Sequence, residues 1–305
     1  MAARQMRWLL AVELLAYLVF GRWLTAGGGG GDSWAAALVS ALWLFFGLRV
    51  LMVLASYGFL WRYPAQARGS PALSMAGWLR MMAVEYAALL VLFVLIQPWE
   101  RFWLGEDRLP RTGGRLPLLL IHGYQCNRGF WFFLRDALER AGWPVATHNL
   151  EPVLADIDDY APAIAQRIDA VLAATGATQV IIIGHSMGGL AARAFFRRFG
   201  CDKVARLITL GSPHHGSRIA ALAWGPNGRQ MHFHSPWMEG LASAPLPPGS
   251  VSIYSRHDNH VMPAEACSTL PGARDVPIDG VGHLAMALSP RLRDVLLAEL
   301  RRPAG

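Results

Sequence analysis

The chain of 305 residues has a single lysine, Lys203, so arginine carries almost all of the positive charge behind its net +7. No basic run occurs and no basic patch interleaved with aromatic residues, which argues against a nucleic-acid surface. Cysteine is equally sparse. Cys126, Cys201 and Cys267 have no metal-type spacing. An oxidising compartment would permit one disulfide and leave one thiol, and nothing in the spacing selects the pair. Internal repeats, low-complexity tracts and a phosphate-binding loop are missing too. Two histidine pairs, His214-His215 and His232/His234, raise the question of a metal site, but both read as ordinary polar loops. No metal or organic cofactor is expected.

Polar residues are scarce in the first hundred positions. Apolar stretches run over roughly 8–24, 34–61 and 77–97, against the roughly twenty residues a helix needs to cross a bilayer. Tryptophans mark their ends: Trp8 and Trp23, Trp34 and Trp61, Trp78 and Trp99. Such amphipathic rings suit the two membrane–water interfaces. Three transmembrane helices are therefore expected in 1–98, with residues 27–31 as a flexible turn. Arg4 and Arg7 before the first stretch also fit a signal peptide, but Leu24-Thr25-Ala26 is a poor cleavage site. Arg62, Arg68 and Arg80 face Arg22 and Asp32 across the spans. That charge pattern puts the amino terminus and the second loop in the cytoplasm of a bacterial inner membrane and the catalytic domain in the periplasm, while Arg101, Arg108, Arg111 and Arg115 argue the other way. Glu13, Arg49 and Glu85 lie inside the spans. An ion pair of Arg49 with Glu13 or Glu85 would hold the helices together; the alternative is that each reaches an interface.

Residues 179–193 carry the most chemistry. The β-branched run 180–183 stops at Gly184-His185-Ser186-Met187-Gly188, and a helical sequence follows. Strand, sharp turn and helix with a serine at the apex form a nucleophile elbow, with glycines where side chains would strike the neighbouring strand and helix. In α/β-hydrolases the partners follow in the order acid, then histidine. The segment 251–258 reads as a strand and a loop ending in Asp258; 275–283 reads as a strand and a Gly-flanked loop ending in His283. His283 would take the proton from Ser186, and Asp258 would hold the imidazole. Asp275 and Asp279 compete for the acid role, but they sit with the strand that delivers His283. Two backbone amides would hold the oxyanion: Met187, just after the serine, and Tyr124, after the apolar strand 118–121. His122 is expected to hydrogen-bond within its loop.

The motifs I-H-G-Y at 121–124, G-H-S-M-G-G at 184–189, T-L-G-S-P-H-H-G-S at 209–217 and G-V-G-H at 280–283 resemble those of bacterial true lipases and related esterases. S-I-Y-S-x-x-D at 252–258, with G-A-R-D-V at 272–276, is especially similar to the small, lid-poor lipases of Bacillus type. The resemblance covers about 115 to 300. It implies a triad of Ser186, Asp258 and His283, an oxyanion hole of Tyr124 and Met187, and a carboxylic ester substrate. Residues 217–250 are longer than a minimal enzyme of this kind needs, a departure that bears on lid-free access and on substrate preference. The first hundred residues have no counterpart in the secreted lipases.

Strands are expected near 117–121, 144–148, 179–183, 206–210, 251–255 and 275–278, and helices near 129–141, 158–174, 188–199 and 290–301. This alternation predicts an α/β fold, a mostly parallel sheet covered by helices on both faces. Residues 1–98 would be the membrane region, 99–116 a linker and 117–305 the catalytic domain. The whole reads as a membrane-anchored serine esterase or lipase, with an ester or lipid and the bilayer as partners and no nucleic acid. The rivals are an acyltransferase using the same triad and a silent membrane scaffold.

Overall fold

A computed structural model describes residues 1–27, 33–63, 72–111 and 113–302. Most of the turn at 27–31, together with Asp32 and Arg68 of the charge pattern, lies outside them.

Three helical stretches open the chain. Helix α1 spans Ala2–Gly27 and α2 spans Trp34–Arg62, the latter started by Ser33, whose hydroxyl accepts from the Ala36 amide. Helix α3, Met75–Leu90, continues through π-helical Val91–Ile96 and a 3-10 turn, Gln97–Trp99, into α4, Glu100–Leu104. Pro98, which lacks an amide hydrogen, sits at that irregularity. All three stretches are long and apolar enough to cross a membrane. On α1, Trp8, Val12, Leu15, Val19 and Trp23 are exposed at helical spacing, one apolar stripe facing outward. Arg49 of α2 resolves the choice of partner: its guanidinium reaches both carboxylate oxygens of Glu13, at 2.6 and 2.9 Å. Glu85 is engaged elsewhere.

Among the described residues six strands follow: β1 Leu118–Ile121, β2 Val145–His148, β3 Val180–His185, β4 Val204–Leu210, β5 Val251–Ser255 and β6 Arg274–Ile278. They form one parallel sheet in the order β2-β1-β3-β4-β5-β6. Its central strand β3 is buried along its whole length, as a strand with helices on both faces must be. Pro277 lies in the edge strand β6, where a missing donor is tolerated. The main helices are α5 Phe132–Arg140, α6 Ala161–Thr175, α7 Met187–Phe199 and α11 Pro290–Arg301; α8 Gly225–Gln230, α9 Pro236–Leu241 and α10 Ala264–Ser268 are short. Helix α6 ends at Gly176 in the left-handed conformation, and α11 starts from Ser289, whose hydroxyl accepts from the Leu292 amide. Two core clusters line the two sheet faces.

The stretch expected as a linker from 99 is ordered differently. The helical path runs on to Leu104, and upstream Ala88 and Leu92 are buried in the same cluster as Leu118, Leu120 and Phe130 of the α/β part. Further along, the buried Asp107 carboxylate takes Arg167 at 2.6 Å, Arg135 at 3.1 Å and Arg128 at 3.6 Å, and accepts from the Thr147 amide. Removing one member of a buried charge cluster strands the others. Asp107→Ala is therefore expected to lower stability by about 3–5 kcal/mol, read as a lower midpoint in chemical denaturation of the detergent-solubilised protein. A loss below about 1 kcal/mol would show the cluster to be exposed and weak.

Candidate active site

The site follows from the strand order. Chain connectivity runs from β1 outward to β2 and then back across β1 to β3, so β1 and β3 are neighbours whose loops leave in opposite directions. Open parallel sheets bind ligands at such a switch point, beyond the carboxyl ends of the strands. Ile121 pairs with Gly184 in register, so the turn after β1 meets the turn after β3. The contact is direct: a Cβ on Gly123 would stand 2.9 Å from the Ser186 Cβ. Tyr124 follows Gly123, and Met187 follows Ser186 as the first residue of α7.

Ser186 itself is at φ 52° and ψ −124°, a conformation that costs a non-glycine residue roughly 1–3 kcal/mol and persists only where the surroundings impose it. Here they do. A Cβ on Gly184 would meet the Gly189 amide nitrogen at 2.6 Å, and one on Gly188 would meet the Ile121 carbonyl oxygen at 2.2 Å. The helix and the neighbouring strand thus press on the elbow from both sides.

Strands β5 and β6 deliver the other two residues. They pair from Val251 and Arg274 through Ser255 and Ile278, so the loops after them emerge side by side. His283 Nδ1 donates to Asp258 Oδ2 at 2.8 Å, and both residues are buried. The other carboxylate oxygen accepts from the His260 and Val261 amides at 2.8 and 2.9 Å. Of the competitors, Asp279 is paired with Arg256 at 3.1 Å, and Asp275 lies within β6.

Three further histidines crowd the same region. His185 stacks on Phe130 with centroids 4.0 Å apart, and its ring lies 4.6 Å from that of His283. His260 lies 4.9 Å from His283 on another side. Burial, then the charge of His283, push His185 well below its ordinary value and His260 down to about 3. Both are neutral neighbours at pH 7. Burial pulls His283 down as well, but the charge and hydrogen bond of Asp258 and the charge of Glu85 outweigh it, and the net shift is upward. His122 bridges loops: it accepts at Nε2 from the Leu150 amide at 3.0 Å, so Nδ1 carries the proton toward the Gly123 carbonyl at 2.9 Å. Burial holds it down at about 4.

Of the histidine pairs, His214, His215 and His234 line one cavity together with Arg193. His214 Nε2 lies 3.0 Å from Thr209 Oγ1, beside Arg193. Among the described residues, the one histidine-containing set close enough to hold a metal is Asp258, His260 and His283, the same residues as the buried pair and its neighbour. The three cysteines are free. Residues 217–250 fold back over the β1 turn: the Trp224 amide donates to Tyr124 Oη at 2.9 Å, and that hydroxyl donates to the Trp224 carbonyl at 2.8 Å. The Trp224 ring is left exposed.

Residues 117–228 match the family model of the alpha/beta hydrolase fold. This part of the chain has the alpha/beta hydrolase fold. The chain is 34% identical over 114 residues to a triacylglycerol lipase of Pseudarthrobacter phenanthrenivorans, a match covering 35% of this chain and 35% of that protein. A triacylglycerol lipase of Burkholderia plantarii is likewise 34% identical over 114 residues, 35% of this chain and 32% of its own. The chain thus spans about a third of the length of these relatives. Among solved structures, a Bacillus licheniformis lipase in mature form shares the hydrolase fold at TM-score 0.57 and 18% identity, over 64% of this chain and 96% of its own. Aspergillus fumigatus lipase B superposes at TM-score 0.59 and 16% identity, over 100% of this chain and 82% of that one.

Sequence reasoning missed three polar neighbours of His283 in the candidate site: Asn259, whose side-chain oxygen accepts from the His283 amide at 2.9 Å, His260, and Glu85. Asn259 and His260 follow Asp258 directly, so their proximity was readable. That of Glu85 was not.

Proposed function

We propose that this chain is a membrane-anchored serine hydrolase that cleaves carboxylic esters, acyl lipids or other amphiphilic esters, through an acyl-enzyme on Ser186. The observation that carries the reading is a strained serine and a buried histidine–aspartate pair at the ends of one parallel sheet. Ser186 Oγ attacks the ester carbonyl while His283 Nε2 takes its proton, and the amides of Tyr124 and Met187 receive the negative oxygen. His283 then protonates the departing alcohol. Water repeats the sequence on the acyl-enzyme, returning the carboxylic acid and free Ser186. Asp258 keeps the Nδ1 proton in place and stabilises the imidazolium.

The lipases named above support an ester substrate. The outward apolar stripe of α1 and the exposed Trp43 of α2 support an anchor in lipid, since exposed apolar surface of this extent needs an apolar partner. The arginine pattern supports a hydrolase domain on the periplasmic side. Trp224, exposed beside the Tyr124 turn, would meet acyl chains.

Hydrolysis of p-nitrophenyl esters of increasing chain length by the solubilised full chain tests this reading. Only neutral imidazole can accept the Ser186 proton. Because the His283 value is raised, the acid limb of kcat/KM is expected above the ordinary histidine value near pH 6.5. Activity that stays flat down to pH 5 would contradict His283 as the base.

A further inference from the structure

The N-terminal helices do more than sit beside the hydrolase domain; they touch the loop that delivers His283. Gly282 shows how closely. A Cβ there would lie 2.4 Å from Glu85 Oε2 and 2.6 Å from Tyr57 Oη, so α2 and α3 close directly on the backbone of the residue before His283. The Glu85 carboxylate is fully buried. Its two oxygens accept from the Leu284 and Ala285 amides, at 2.9 and 2.8 Å. These are the first amides of the 3-10 turn Leu284–Leu288 that begins straight after His283, donors that a helix start leaves without a partner. A second strut runs through Asn259: its oxygen accepts from the His283 amide, and its nitrogen donates to Ser56 Oγ of α2 at 2.8 Å.

Resting on the reading above, we propose that Glu85 is a positioning residue for His283, and that the N-terminal helices thereby complete the active site. Asp258 fixes the imidazole at Nδ1. Glu85 fixes the backbone on its carboxyl side, and the Ser56–Asn259 strut fixes its amide. With the two amides released, the loop is free to carry the ring away from Ser186, and misplacement by about 1 Å costs on the order of 100-fold in rate. The acid acts without touching substrate. This accounts for a buried carboxylate in a mostly apolar helix, where an uncompensated charge is expensive.

Groups facing His283 come from every packed element: Asp258 and His260 after β5, His185 at the end of β3, and Glu85 on α3. Glu85→Gln keeps the shape but removes the charge and turns an amide NH2 toward one of the two backbone donors. In the full chain in detergent, its kcat for p-nitrophenyl butyrate is expected to fall by about 10- to 100-fold with KM nearly unchanged. The acid limb should move to lower pH, and Glu85→Asp should restore its position and part of kcat. The imidazole titration of His283, followed by NMR with 15N-histidine and assigned with His283→Gln, should shift downward in Glu85→Gln. Ser56→Ala, a milder cut of the second strut, should lower kcat several-fold and serves if Glu85→Gln does not fold. A Glu85→Gln protein that melts earlier yet keeps wild-type kcat, acid limb and His283 titration would reduce Glu85 to a structural cap and overturn the proposal; an unchanged kcat in Ser56→Ala would do the same for the strut. An inactive but folded wild type would defeat the esterase reading alone, since the His283 titration still decides Glu85.

Discussion

Ser186→Ala is expected to abolish ester hydrolysis, lowering kcat by about 10⁶-fold while leaving the fold in place. The size of the effect follows from what the residue would do. Among the described residues no other serine or threonine sits at such a positive φ, and the oxyanion amides and substrate contacts that remain support only residual catalysis. Stability should change little, because the strain at φ 52° is imposed by Gly123, Gly184 and Gly188 packing against the turn and not by the serine hydroxyl. Steady-state hydrolysis of a p-nitrophenyl ester by both proteins, with thermal melts alongside, measures this. Retention of more than a few per cent of activity by the variant would place the chemistry elsewhere.

Asp258→Asn is the second large effect, about 10⁴-fold in kcat near neutral pH. The local hydrogen bonds dictate why. Oδ1 accepts from both the His260 and Val261 amides, so the asparagine carbonyl oxygen must occupy that place. Its NH2 then faces His283 Nδ1, where it can only donate. The imidazole is driven to carry its proton on Nε2 and cannot accept one from Ser186. Geometry is preserved while the tautomer is wrong, so KM and the melting midpoint should stay close to wild type. A loss of less than tenfold would mean that the carboxylate at 258 does not govern the His283 proton.

The elbow was legible because it is local: strand, glycines, serine and helix lie within fifteen residues, and β3 runs Val180–His185 where 179–183 was expected. The order of acid and histidine pointed to Asp258 and His283, which lie 2.8 Å apart, and the adjacency of β5 and β6 explains why both loops arrive together. What the helices before residue 105 do for the site was not legible. Glu85 stood out as an acid in an apolar stretch, and Arg49 was the obvious charge to pair with it. Its partners are instead two backbone amides about two hundred positions later, groups that every residue but proline has and that no side-chain pattern marks. Asp107 was obscured in the same way. It lies in an Arg-, Gly- and Pro-rich stretch that reads as a tether, yet three arginines converge on it from α5, the turn before it and α6.

An activated serine is the claim on which the rest stands, and covalent labelling tests it most directly. Membranes carrying the wild type or Ser186→Ala would be treated with a fluorophosphonate probe and resolved by mass spectrometry. Labelling of the wild type on Ser186, and none of the variant, is the predicted result. A folded wild type that takes no label, or a label that persists in Ser186→Ala, would contradict it.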